Sequence, residues 1–129
     1  MELANKITRE NVEIMVLTFY GKVLKDDTVG PFFIAKLGDD INNDYWKPHI
    51  LLLVNFWSSI ALGDESYNGN PLAPHFSIGE LSHGVFQEWL KLFFETVDSI
   101  YEPEVGAIFK ERSKIIAGNF MRNLGIYTL

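Results

Sequence analysis

Apolar side chains recur at three- and four-residue spacing through four long stretches of this chain, and no stretch alternates apolar and polar residues for long enough to make a strand. That period is the one a helix needs to line a single face, so the expected class is all-α. Val12, Met15, Val16, Phe19, Val23 and Leu24 predict a first helix over about residues 8–25, with Thr8 and Glu10 as its start signal. Asp26, Asp27, Gly30 and Pro31 break the pattern, and the stretch to Asn43 reads as loop with at most short helical turns. Asp44 is the expected N-cap of the next helix, whose stripe is Trp46, Ile50, Leu53, Val54 and Trp57 and whose stop is Gly63. Pro48 falls early enough in it that the missing N–H costs nothing.

Gly63 to Pro71, with an Asn68-Gly69 turn, reads as a loop, and Pro71-Leu72-Ala73-Pro74-His75 as a short constrained helical turn whose second proline tightens the presentation of His75. A long helix from about Ser82 to Tyr101 follows, striped by Val85, Phe86, Trp89, Phe93, Val97 and Ile100. Pro103 opens a last helix with the stripe Val105, Ile108, Phe109, Ile115, Ile116 and Phe120, ending near Gly125. There is no internal repeat and no low-complexity segment. The 129 residues suit one domain with a real core.

Charge and cysteine usage narrow the function classes. A net charge of −6 opposes a polyanionic partner, so neither nucleic acid nor an acidic membrane surface is expected. The absence of cysteine excludes disulfides, thiolate zinc sites, iron–sulfur clusters and thioether attachment of haem. Any metal must be held by histidine or oxygen. Met1-Glu2-Leu3-Ala4-Asn5-Lys6 has no apolar signal-peptide core, and the most apolar stretch, from Ile50 to Leu62, falls well short of the ~20 residues that span a bilayer. A cytoplasmic protein is expected.

Three histidines are available: His49, His75 and His83. No pair stands at i, i+4 as zinc sites favour, and Glu80-x-x-His83 is half of a carboxylate di-iron pattern with no second half. His83 is therefore read as ordinary surface. Haem asks less of a sequence: one neutral imidazole on iron, an acceptor for its other N–H, and two apolar walls around a flat macrocycle. Aromatic residues make up 14% of the chain, ten of them Phe, which is more flat apolar surface than a domain this size needs for self-packing. A large apolar ligand would use the excess.

Phe19-Tyr20, Gly30-Pro31-Phe32-Phe33, Trp46-x-x-His49, Asn55-Phe56-Trp57, Leu62-Gly63 with Tyr67-x-Gly69-x-Pro71-Leu72-x-x-His75, and Trp89-Leu90-x-Leu92-Phe93 occur in collinear order from about Ile7 to about Asn123. Each motif is short, and six in the right order are specific: the chain resembles the truncated haemoglobins, in particular their group III class. It is similar to that class also in lacking the paired glycines of groups I and II. The resemblance implies a globin-like two-over-two helical sandwich around one haem b, with the first two long helices distal and the last two packed across them. It aligns His75 with the proximal iron ligand, Phe33 with the phenylalanine that braces the haem, and Tyr20, His49 and Trp89 with the distal polar positions. Leu53, Phe56, Tyr67, Leu72 and Phe86 are expected to join Phe33 in lining the cofactor.

Tyr20 O–H and Trp89 N–H are donors of the kind that steady a partly charged gas ligand in a dry pocket. His49 is open between a ligand contact, a gate to solvent and an outward pose. Asp26-Asp27 and Asp39-Asp40 read as solvated loop ends, and Lys110, Arg112 and Lys114 as the exposed side of the last helix, where one cation could pair with a propionate. The function expected is reversible binding of oxygen or another diatomic gas, in oxygen handling or storage, by a monomer. The alternative is a haem enzyme acting on nitric oxide, as a dioxygenase, or on peroxide. A dioxygenase must be re-reduced, and no flavin or nicotinamide domain is seen in these residues, so it would need a separate reductase; that favours binding.

Overall fold

The computed structural model describes residues 2–63 and 83–123, with side chains in the second stretch described from 84 to 118. Five helices fill it: α1 (Arg9–Lys25), α2 (Gly30–Leu37), α3 (Trp46–Leu62), α4 (His83–Ile100) and α5 (Pro103–Asn123). The expected loop after Gly63, the proline-framed turn with His75, and the helix end near Gly125 lie outside the described residues, as do the side chains of His83 and Phe120.

α1 begins where its sequence signals begin, because the Thr8 hydroxyl accepts from the Asn11 N–H while the Asn11 side chain accepts from the Thr8 N–H, a reciprocal box satisfying two orphan donors. Its apolar stripe is the floor of the core: Val12, Met15, Val16, Phe19, Tyr20 and Val23 are all buried. α1 packs on α2, α3 and α4, while α5 lies across α4 and touches α3, so α1 and α3 form one layer and α4 and α5 the other. The class is all-α with the two-over-two arrangement. The N-terminal segment is tied to the α4–α5 corner, where Ala4 N–H donates to the Ile100 carbonyl and Glu102 N–H to the Ala4 carbonyl. The buried Tyr101 adds a hydroxyl hydrogen bond to Asn11 at 2.7 Å. No described helix is long and apolar enough to cross a membrane.

The stretch expected to be loop holds α2, a helix of two turns. Gly30 and Pro31 open it rather than break it, since a proline in the first turn gives up only an N–H that has no partner there. Asp26, expected as a solvated loop end, organises the approach: its carboxylate accepts from the Thr28 and Val29 N–H groups at 3.0 and 2.8 Å. Gly30 is required by close approach, because a Cβ there would lie 2.6 Å from the Val23 carbonyl oxygen of α1. The start of α3 also differs from expectation. Asn43, not Asp44, receives the Tyr45 and Trp46 N–H groups on its side-chain oxygen, at 3.0 and 2.8 Å. Asp44 is left exposed with a long contact to Lys47. Gly63 ends α3 in the left-handed conformation, as the sequence predicts.

On α5 the expected stripe holds at Val105, Ile108, Phe109 and Ile116, while Ile115 is exposed. Lys110 and Lys114 are not free surface cations. Each stands 5.5 Å from the centre of the Phe94 ring, and Lys110 also pairs with Asp98, so they fasten α5 to α4.

Candidate functional site

Near the last turns of α1, aromatic residues from three helices converge. Tyr20 is 3% exposed, and its ring centre lies 5.4 Å from Phe33 of α2, 5.4 Å from Trp46 and 5.7 Å from His49 of α3. Phe33 and His49 are 6.5 Å apart. From the other layer α4 contributes Trp89, whose indole N–H is given to the Tyr20 hydroxyl. The Trp89 ring is fixed on both sides, stacked on Phe93 at 5.6 Å and 6° and set edge-on to Phe19 at 5.4 Å.

The chemistry of this cluster is neutral and hydrogen-bonding. Burial pushes the Tyr20 pKa well above the ordinary tyrosine value, and the Trp89 hydrogen bond offsets part of that rise, so the group is a protonated hydroxyl at neutral pH. His49 sits in the first turn of α3, half-buried, with its Nε2 sealed from solvent. Among the described residues no three His, Cys, Asp or Glu side chains come together as a metal-ligand set.

Of the residues singled out in the sequence, Tyr20, Phe33, His49 and Trp89 are brought together from four helices. Leu53 is buried one turn beyond His49, and Phe86 is buried one turn before Trp89. Phe56 is half-buried and meets Trp57 edge-on at 5.1 Å. His75, Tyr67 and Leu72 lie outside the described residues. Trp46 had no role assigned from the sequence beyond its place in a motif and in the α3 stripe. It is fully buried and touches Tyr20, Phe33 and His49 at once. Period alone could not distinguish it from any other core aromatic.

No protein-family model matches the chain. It is 34% identical over 121 residues to the group 3 truncated hemoglobin ctb of Campylobacter jejuni, an alignment that covers 94% of each protein. The crystal structure of a group III truncated hemoglobin from Campylobacter jejuni superposes with a TM-score of 0.85 at 33% identity, covering 95% of each chain.

Proposed function

The chain belongs to the group 3 truncated haemoglobins, and from that premise we propose that it is a haem b protein that reversibly binds oxygen or a related diatomic gas, in oxygen handling or storage, at the face where Tyr20, His49 and Trp89 converge. The observation that carries the reading is the Tyr20 hydroxyl, a neutral donor buried among aromatic rings and supported from behind by Trp89.

The residues suit such a group. A flat apolar macrocycle needs aromatic and aliphatic walls. Phe33, Leu53, Phe56 and Phe86, buried or half-buried on α2, α3 and α4, would supply them together with Tyr67 and Leu72, and His75 would hold the iron. Haem bound there would supply an iron able to take a diatomic gas.

The protein's own part is to place and prime a proton. An indole can only donate, so the Trp89 N–H occupies a lone pair of the Tyr20 oxygen and leaves the Tyr20 proton to be given onward. A donor that itself accepts a hydrogen bond is polarised and donates more strongly. Because burial keeps the hydroxyl protonated, the donor persists across the physiological range. A ligand atom carrying partial negative charge is held by that proton where water does not compete. His49 stands near enough to Tyr20 to serve as a second partner for the same ligand.

Reversible oxygenation tests the reading. The reduced protein exposed to oxygen and then degassed should return to its starting absorption spectrum. Irreversible oxidation at first exposure, or no spectral change at all, would contradict it.

A further inference from the structure

Trp46 is the residue on which the aromatic cluster turns. It is the first residue of α3 and fully buried. Its ring stacks on Phe33 at 6.1 Å and 23°, stands edge-on to His49 at 5.5 Å, and tilts against Tyr20 at 5.4 Å. Three side chains from three helices therefore share one wall. Its indole N–H goes away from them, to the carbonyl of Gly38 at the C-cap of α2, at 2.8 Å. An indole has one donor and no acceptor, so nothing polar remains on Trp46 for a ligand.

The same corner is fastened a second time. Asn43 gives its side-chain N–H to the Leu37 carbonyl at 2.7 Å while its side-chain oxygen receives the Tyr45 and Trp46 N–H groups. The end of α2 and the beginning of α3 are thus joined by two side chains. Phe33 rides on one of these helices and His49 on the other. The angle between the helices decides how both meet Tyr20.

We propose that Trp46 is a positioning residue of this pocket: through its Gly38 hydrogen bond and its three ring contacts it sets the pose of Phe33 and His49 around Tyr20, and contributes no donor of its own. The proposal rests on the reading of Tyr20 and His49 as the ligand-facing groups. Trp46→Phe keeps an aromatic ring and removes the N–H. With the α2–α3 corner loosened, His49 takes more than one pose.

The test uses the full chain and two readouts. In the haem-free protein, the imidazole proton signal of His49, assigned among three histidines by its loss in His49→Gln, should be single in the unaltered chain and in Val12→Ala, a core variant remote from the pocket. In Trp46→Phe it should broaden or split. In the haem-loaded protein, Trp46→Phe should speed oxygen release roughly three- to tenfold, the size of one neutral hydrogen bond's net contribution, and split the stretching band of bound carbon monoxide. If Trp46→Phe does not fold, Asn43→Ala, which opens the same corner with Trp46 in place, should give the same changes. An unchanged His49 signal together with unchanged oxygen release, whatever the loss of thermal stability, would reduce Trp46 to core filling and overturn the proposal. Failure of the unaltered chain to take up haem would refute the functional reading instead, while the His49 signal still decides Trp46.

Discussion

Trp89, on α4, is the hydrogen-bond partner of the Tyr20 hydroxyl, on α1, and because an indole can only donate, the Tyr20 proton is left to be given elsewhere. In the proposed pocket Tyr20 would be the donor left for a ligand, and Trp89 the group that orients and polarises it.

Tyr20→Phe removes only the hydroxyl. A hydrogen bond to a partly charged ligand in a dry pocket contributes about 1.5–3 kcal/mol, or roughly ten- to hundredfold in a dissociation rate. Oxygen release measured by stopped flow should accelerate by that factor, and carbon monoxide release, from a ligand with less charge, should scarcely change. Trp89→Phe should act in the same direction but by only about three- to tenfold, and add little on top of Tyr20→Phe, because its effect passes through the missing hydroxyl. Equal and additive effects would mean that both groups donate to the ligand directly.

The buried tyrosines make an alkaline prediction. Burial raises the pKa of both Tyr20 and Tyr101 above the ordinary value of 10.0. The folded state holds these protons more tightly than the unfolded chain, so the associated stability is fully present below about pH 10 and is lost as pH rises toward the folded values. For Tyr20 alone the slope is about 1.4 kcal/mol per pH unit. Thermal midpoints measured from neutral pH upward should fall steeply beyond pH 10, and less steeply in Tyr20→Phe. A flat profile there would mean that Tyr20 ionises freely and is not buried.

Gly30→Ala tests the contact between α1 and α2. The added methyl group meets the Val23 carbonyl, a backbone atom that cannot swing aside. Overpacking of this kind costs about 1–3 kcal/mol, partly offset by about 1 kcal/mol of better helix propensity. The denaturant midpoint should drop, and Phe33, one turn along α2, should be displaced. Unchanged or higher stability would show that α2 can move away from α1 at little cost.

How far these features could be read from the sequence depended on their range. α1 was legible because its stripe and its Thr8 signal are local, and all six of its buried residues follow one helical period. α2 was not, because Gly30-Pro31 signals a break unless it is known that Asp26 caps the turn and that Val23 needs a glycine opposite it. Asp44 is a good N-cap type, yet the N-cap position falls on Tyr45, and Asn43 upstream of it receives the Tyr45 and Trp46 N–H groups while its amide reaches the Leu37 carbonyl, which a carboxylate could not do. Tyr20, His49 and Trp89 were singled out by family resemblance, since their periodicity alone is that of packing residues. The placement of Trp89 behind Tyr20, and of Trp46 behind both Phe33 and His49, depends on contacts between helices that no local pattern encodes.

The proposed function requires one haem b per chain, held through His75. Its most direct test is the haem content of the purified full chain and of His75→Ala, read from absorption spectra of the ferric, ferrous and ferrous carbon monoxide forms. The unaltered chain should hold one haem and respond to carbon monoxide, and His75→Ala should lose the haem or hold it weakly, because the iron would lack its protein bond. A His75→Ala variant that keeps the full haem complement and the same five-coordinate histidine spectrum would show that another residue holds the iron.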